Sequence, residues 1–444
     1  MNSELLLSVL AGIALLLILI LVVRLHAFIA LLIASIVSGL LAGLDGAQIV
    51  ETMQNGMGST LGFVATVVGL GAMFGAMLEA SGGAQAIAQS LISQSRIHRA
   101  PWALMLTGFI VSIPVFFDVA LIILIPVVYG LQRKSGKSLL AFAIPLLAGL
   151  AITHAFVPPT PGPVAVAEII GAELGMVILI GIIAGLPAAI IGGVIWGRYI
   201  STRIFVTAPE SQDGEQHEIQ LPSLGLLLSL IIIPLLLIIS NTLVQTFTKE
   251  EATVLRNIFN LIGHPFTALI IANLLAWYTL GIRRGMSRVK LMSISTRSLA
   301  PAGTIILLTG AGGVFKQVLV DTGSGEMIAT SLTSAGIPVL IFAFIAATLI
   351  RMLQGGATVA MITSAGLTAP LLVQAGLSPL QLACIVIAIA SGATFGSHVN
   401  DSGFWLVSQY FGLTEKQTFR SWTVMTMLVG VTGLIGAGVM YFLF

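Results

Sequence analysis

The stretch Ser397-His398-Val399-Asn400-Asp401-Ser402-Gly403 lies between two apolar runs, Leu377–Phe395 and Phe404–Leu413. It places titratable and hydrogen-bonding side chains where the flanking sequence predicts a lipid bilayer. A charged group at membrane depth costs at least about 2.5–3.5 kcal/mol, so such groups usually face a protein-lined cavity. Irregular backbone at that depth must also be enclosed by protein, because lipid cannot satisfy its N–H and C=O groups. The stretch therefore predicts a functional site inside a membrane protein.

Composition identifies the class of protein. The chain has 444 residues, of which 57% are apolar and only 8% are charged, and its mean hydropathy is +1.07. About a quarter of the residues of a soluble protein would be charged, so we predict an all-α polytopic membrane protein. The net charge of +2 is spread over short loops and gives no basic face for nucleic acid. Cys384 is alone, which excludes an internal disulfide and a cysteine zinc site, and we expect no cofactor or metal.

Two segments of the first half cannot be continuous spans. Pro101–Gly130 is interrupted at Ser112–Asp118, and each arm is shorter than the roughly 20 residues that a crossing helix needs. This pattern predicts a re-entrant hairpin whose tip stops inside the membrane. Leu139–Phe156 ends at Val157–Pro163, where four prolines remove backbone donors and prevent a continuous helix. We therefore predict a discontinuous helix there.

The same order of segments recurs in the second half. His26–Ala34 and His264–Ala272 share six of nine residues, and Gly69–Leu91 and Gly310–Leu332 share nine of twenty-three. The chain is thus predicted to contain two repeats, residues 1–200 and 223–444, joined by a linker at residues 201–222. Each repeat would have about five spans, a re-entrant hairpin and a discontinuous helix.

Counting crossings predicts how the repeats are oriented. Five spans and a non-crossing hairpin leave the ends of a repeat on opposite sides, so the second repeat should be inverted relative to the first. Cytoplasmic loops carry an excess of Lys and Arg. With the N-terminus outside and Leu5–Val23 as a retained first span, only Lys249 and Arg256 fall outside, while Lys316 and Arg351 lie within the bilayer. The other basic residues are predicted to be cytoplasmic: Arg24, Arg96, Arg99, Arg133, Lys134, Lys137, Arg198, Arg203, Arg283, Arg284, Arg288, Lys290, Arg297, Lys416 and Arg420.

Four polar interruptions should meet near the middle of the membrane, namely the two hairpin tips and the two helix breaks. Interrupted helices offer free N–H groups and positive dipole ends, which suit a small anionic ligand. The interruptions supply the candidate substrate-binding residues Ser112, Phe117, Asp118, His154, Thr160, Gly162, Gln354, Gly355, Gly356, Thr358, Ser397, His398, Asn400, Asp401 and Ser402.

Three charged residues of this set have distinct predicted roles. Arg351 must be neutralised at membrane depth by a carboxylate, either that of the substrate or that of an internal aspartate, and Asp118 is the favoured partner. Asp401, among polar neighbours, is then the first candidate for the proton carrier, with Asp118 as the second. Asp118 could also cap the returning arm of its hairpin, and either of His154 and His398 could only buttress a helix break.

These motifs resemble the gluconate permease family within the ion transporter superfamily, over essentially the whole chain. The resemblance implies proton-coupled importers of gluconate and similar sugar acids in bacterial inner membranes, built as dimers with a scaffold domain and a moving transport domain. The chain differs from many relatives at Thr160, where they have histidine, and at Gly356, where they have serine. The resemblance rests on Ile113–Asp118, Thr153–His154, Val157–Pro159, Gly355–Ala360 and Ser397–Trp405.

We therefore expect a secondary active transporter that imports gluconate or a related sugar acid by proton symport, with elevator-type alternating access. Sodium coupling, or another small carboxylate or hydroxy amino acid as substrate, is the alternative. An anion channel and an intramembrane hydrolase are more remote. The chain has no Gly-x-Ser-x-Gly or His-Glu-x-x-His motif, so we do not expect an enzyme.

Overall fold

The computed structural model describes residues 2–93, 97–209, 221–248, 253–322, 338–373 and 375–444. The described residues form helices and connecting turns, with no strand among them. Seven of their helices are long and apolar enough to cross a membrane, and several shorter ones are equally apolar. The predicted all-α membrane class is confirmed.

The described residues of the first half form ten helices. Helix α9 runs through a π-helical turn, Ile190–Ile195, directly into α10. The bounds are α1 Asn2–Leu21, α2 Ala27–Leu41, α3 Gly46–Ala80, α4 Gly83–Ser93, α5 Ala100–Val111, α6 Phe117–Ser135, α7 Leu140–Phe156, α8 Pro161–Ile170, α9 Leu174–Ala189 and α10 Trp196–Arg203.

The described residues of the second half form another ten helices in a similar order. Two further π-helical turns, Trp277–Gly281 and Phe419–Thr423, follow α13 and α19. The bounds are α11 Leu224–Phe247, α12 Thr253–Ile262, α13 Pro265–Ala276, α14 Arg288–Asp321, α15 Val339–Gln354, α16 Ala357–Thr368, α17 Pro379–Thr394, α18 Ser402–Tyr410, α19 Glu415–Thr418 and α20 Val424–Leu443.

Two helices are longer than the sequence predicts. Helix α3 begins at Gly46, ten residues before the apolar run Gly56–Leu78, because Asp45 and Gln48 form a capping box at its start. Helix α14 begins at Arg288, where Ser287 caps it, and continues through Pro301, the first residue of the apolar run Pro301–Val320. The apolar pattern therefore underestimates both helices, since their first turns are polar. Half of the predicted linker, residues 210–220, lies outside the described residues, as does the segment 323–335, which the sequence indicates to be amphipathic.

All four predicted interruptions are present. The first hairpin turns between Val111 and Phe117, and the second between α15 and α16 at Gly355–Gly356. The two helix breaks separate α7 from α8 and α17 from α18. Helices α7 and α17 are almost wholly buried and pack against both arms of their respective hairpins. The interruptions are therefore enclosed by protein.

Glycines on two long helices let these irregular segments approach closely. A Cβ at Gly75 of α3 would overlap the Pro114 carbonyl oxygen at the first hairpin tip, and one at Gly71 would lie 3.2 Å from the Pro159 carbonyl oxygen at the first break. On α14, a Cβ at Gly312 would lie 3.0 Å from Ile362 of α16. Helices α3 and α14 also pack on each other. The glycines of α3 and α14 thus allow the hairpins and breaks to pack closely against these two helices.

Candidate functional site

A cavity of about 230 Å³, called here the central cavity, lies where the second hairpin tip, the second helix break, α6 and α7 meet. It is the point at which parts of both halves converge. It is lined by Phe117, Asp118, Ala151, His154, Ala155, Arg351, Gly356, Ala357, Thr358, Val359, Thr394, Asp401, Ser402, Gly403, Trp422 and Thr426.

A buried ion pair forms one wall of the central cavity. Arg351, in the last turn of α15, donates from Nη2 to Oδ2 of Asp401 at 2.5 Å and from Nη1 to the Gly355 carbonyl oxygen. Both side chains are buried, at 5% exposure for Arg351 and 8% for Asp401. The expectation of an internal pair is confirmed, but the predicted partner, Asp118, is wrong. Asp401 takes its place because it caps α18 directly beside the hairpin tip.

Both carboxylate oxygens of Asp401 are engaged by neighbouring groups. Oδ2, which pairs with Arg351, also accepts from the Ser397 hydroxyl, and Oδ1 accepts the Gly403 N–H at 3.2 Å. The indole Nε1 of Trp422, which can only donate, bonds in turn to Oγ of Ser397 at 2.7 Å. Asp401 is therefore held in place from three sides.

Asp118 lies in the first turn of α6 and is exposed to the central cavity. No hydrogen bond or ion pair holds its side chain within the described part of the chain, and it interacts electrostatically with Asp401. Its carboxylate is thus available to bind a proton or a ligand group. This contrasts with the fully engaged carboxylate of Asp401.

Seven of the fifteen predicted site residues line the central cavity: Phe117, Asp118, His154, Gly356, Thr358, Asp401 and Ser402. His154 lies against the ring of Phe116, and its Nδ1 is buried without a hydrogen-bond partner among the described residues. A ligand in the cavity could supply that partner.

The remaining predicted residues do not line the central cavity. They make contacts within the tips and breaks, or they line a different cavity. The hydroxyls of Ser112 and Thr160 donate to the carbonyl oxygens of Val115 and Val157. Gly162 packs near Met361, and His398 Nδ1 lies 3.0 Å from the Gly396 carbonyl oxygen. Ser397 and Gly355 support the ion pair. Gln354 and Asn400 line a second cavity together with Gly356.

The sequence reasoning missed Trp422, Thr394 and Thr426, which also line the central cavity. The last helix was expected to be a plain span from Trp422 to Phe444. Its start instead contains a π-helical turn, and Thr423 and Thr426 bond to the backbone of Ser397 at 2.6 and 3.1 Å. The cluster of polar residues at the start of an otherwise apolar span was the available signal.

Known proteins resemble this chain along its whole length. The family model "GntP family permease" matches residues 4–443. This chain belongs to the GntP permease family. A low-affinity gluconate transporter of Escherichia coli K12 is 42% identical over 97% of both chains. A gluconate permease of Pseudomonas aeruginosa is 40% identical and covers 98% of this chain and 97% of its own.

A solved structure shares the fold at low identity. The Alcanivorax borkumensis YdaH transporter superposes with a TM-score of 0.65 at 15% identity, covering 93% of this chain and 96% of its own. The chain is therefore a multi-pass membrane permease and not an enzyme. Among the described residues, no group of three or more His, Cys, Asp or Glu could hold a metal ion.

The ion pair predicts an asymmetric effect of two substitutions. Asp401→Asn should lower the free energy of unfolding by about 3–5 kcal/mol, because Arg351 would remain buried without a counterion. Adding Arg351→Met should recover most of this loss, and Asp118→Asn, at an unpaired and exposed position, should cost little. Thermal unfolding of the four proteins in detergent tests this. Equal destabilisation by Asp401→Asn and Asp118→Asn would contradict the assignment.

Proposed function

We propose that this protein imports gluconate or a closely related sugar acid across the bacterial inner membrane together with protons. The proposal rests chiefly on the central cavity, which places two carboxylates and one guanidinium beside the N-termini of α6, α16 and α18. Its small volume suits one sugar acid, and the gluconate transport named for the relatives indicates the substrate class.

The N-termini would hold the carboxylate of the substrate. Free N–H groups and the positive end of a helix dipole favour an anion, and glycine at position 356 lets the ligand approach the backbone of α16. Arg351 Nε is buried without a hydrogen-bond partner among the described residues and is a further donor. Thr358, Thr394 and Ser402 can exchange hydrogen bonds with the hydroxyls of the substrate.

The charges of the central cavity favour coupling to protons. Arg351 balances Asp401, so Asp118 leaves one negative charge when all three groups are ionised. An anionic substrate would add a second negative charge in a poorly hydrated space. Protonation of Asp118 removes this repulsion, whereas Asp401 is already paired with Arg351 and bonded to Ser397 and Gly403. The proton carrier is therefore proposed to be Asp118, in place of Asp401, which the sequence favoured.

Asp118→Asn should separate exchange from accumulation. The variant would mimic the protonated acid, so it should retain gluconate counterflow but lose accumulation driven by a pH gradient. Asp118→Glu, which keeps a titratable carboxylate, is the matched control and should retain part of the accumulation. Both are measured in proteoliposomes under imposed proton and sodium gradients with a panel of sugar acids and hydroxy amino acids. Normal pH-driven accumulation by Asp118→Asn would remove this residue from the mechanism, and accumulation only with sodium would reassign the coupling ion.

The two halves are proposed to be inverted repeats at residues 1–200 and 223–444, with the N-terminus periplasmic. Two equivalent helix starts support the duplication: Nδ1 of His26 accepts the N–H of Phe28 at 3.3 Å, and His264 accepts that of Phe266 at the same distance. Inversion makes the two hairpins enter the membrane from opposite sides.

Labelling tests this orientation at the ends of the hairpins. In a Cys384→Ala background, a cysteine at Ser135, after the first hairpin, should react only from the cytoplasm. A cysteine at Val373, which is 61% exposed after the second hairpin, should react only from the periplasm. Membrane-impermeant maleimide on intact cells and on inverted vesicles distinguishes the two sides. Labelling of both positions from one side would exclude the inverted arrangement.

We propose elevator-type motion because the chain combines long unbroken helices with hairpins and broken helices. The scaffold would include the unbroken helices α3 and α14, and the transport domain the hairpins and broken helices of the central cavity. The glycine-lined contacts of α3 and α14 with the tips give a surface with few side chains to obstruct sliding. Glu168 on α8 and Lys316 on α14 interact electrostatically across this boundary, and both are partly buried.

Two cross-links test the motion. One joins the proposed transport domain to the scaffold, and the other lies within the scaffold. Cysteines at Glu168 and Lys316, joined by a bifunctional thiol reagent in a Cys384→Ala background, should block uptake but leave substrate binding intact. The matched control joins cysteines at Thr52 and Asp321, whose side chains bond at 2.9 Å between α3 and α14 within the scaffold, and should leave uptake unchanged. Full uptake with the cross-link between positions 168 and 316 in place would instead favour a local gate at the hairpin tips.

A further inference from the structure

A second cavity lies on the other side of the second hairpin tip. It has a volume of about 570 Å³ and is called here the scaffold-side cavity, because the α1–α2 turn and α14 form one of its walls. Gln354 and Asn400 form the opposite wall. Gly356 and Val359 line both this cavity and the central one. The second hairpin tip therefore separates two cavities, each large enough for a small solute.

The polar lining of the scaffold-side cavity suits a sugar acid. Arg24, in the α1–α2 turn, is exposed and is the one Lys, Arg, Asp or Glu among the described residues of the lining. Nδ1 of His26 accepts the Phe28 N–H, so a neutral His26 ring carries its proton on Nε2 and can donate. Oε1 of Gln354 is buried and has no partner among the described residues, so it can accept from a ligand hydroxyl. Thr304 adds a hydroxyl.

The two cavities have opposite electrostatic character. The central cavity has two carboxylates and one guanidinium, so an unprotonated Asp118 leaves it negative, whereas Arg24 makes the scaffold-side cavity positive. An anion is therefore more stable in the central cavity when Asp118 holds a proton, and more stable in the scaffold-side cavity when that proton has been lost. The second hairpin tip, which lines both cavities, separates the two positions of the anion.

We propose that the scaffold-side cavity is a second, weaker binding site for the same sugar acid, reached when Asp118 releases its proton to water. Arg24 binds the carboxylate, and Gln354, Thr304 and His26 bind hydroxyls. This inference rests on the proposed function, since it takes the same substrate. It also gives Gln354 and Asn400, which do not line the central cavity, a place in the substrate path.

The second hairpin tip and the second break are in direct contact at Gly355. Gly355 has a φ of +87°, in the region that favours glycine, and its carbonyl oxygen accepts from Arg351. A Cβ at Gly355 would overlap the Asn400 carbonyl oxygen, so the backbones of the two segments touch. Passage of a ligand between the cavities would require these segments to separate and the pair of Arg351 and Asp401 to open.

Equilibrium binding and transport of radiolabelled gluconate test the second site in purified protein. Arg24→Gln removes the cation, Arg24→Lys keeps it, and Arg288→Gln removes an exposed arginine at the start of α14 that lines neither cavity. Wild type should bind two gluconates per chain, one of them weakly and with affinity that falls as salt rises. Arg24→Gln should weaken only that second site, by about tenfold or more. It should also slow net release into gluconate-free medium while leaving the tight site unchanged.

Arg24→Lys should restore most of the second site, and Arg288→Gln should behave as wild type. One gluconate per chain in wild type, or identical titrations and release rates for wild type and Arg24→Gln, would overturn the second site while leaving the proposed transport intact. A wild-type protein that neither binds nor transports gluconate would instead refute the proposed function and, with it, this inference.

Discussion

The ion pair of Arg351 and Asp401 joins the second hairpin tip to the second helix break. Two buried charges are costly in a membrane protein, and they are tolerated here because each also bonds to neighbouring groups. The guanidinium closes the tip onto the Gly355 carbonyl, and the carboxylate caps α18. The shape of the central cavity and its charge therefore depend on this one interaction.

Because Asp401 is paired with Arg351, Asp118 is the aspartate of the central cavity whose carboxylate can bind a proton or a ligand group. Among the described residues, Arg351 is the one Lys or Arg that lines the central cavity, and it is already paired, so Asp118 carries the uncompensated charge. Trp422 supports the ion pair from outside, because its indole N–H bonds to the Ser397 hydroxyl, which in turn bonds to Asp401. The ion pair thus gives two chemically identical side chains different surroundings. The carboxylate of Asp401 is bonded to its neighbours, and that of Asp118 is not.

Much of the fold was accessible from the sequence because lipid imposes simple rules. Apolar runs of spanning length predict spans, and prolines at 158–163 or polar residues at 397–402 can only interrupt them. The boundaries were less accessible. Helices α3 and α14 begin with polar, capped turns that hydropathy does not register, and the π-helical turn before α20 has no clear periodic signature.

The sequence alone determined the membrane class, the positions of all four interruptions and half of the residues that line the central cavity. Those features follow from composition and local chain chemistry, which do not depend on distant neighbours. The tertiary structure decided which carboxylate neutralises Arg351, that Trp422 belongs to the site, and that Gln354 and Asn400 face a different cavity. These are questions of distance between segments far apart in the chain, and helix packing settles them.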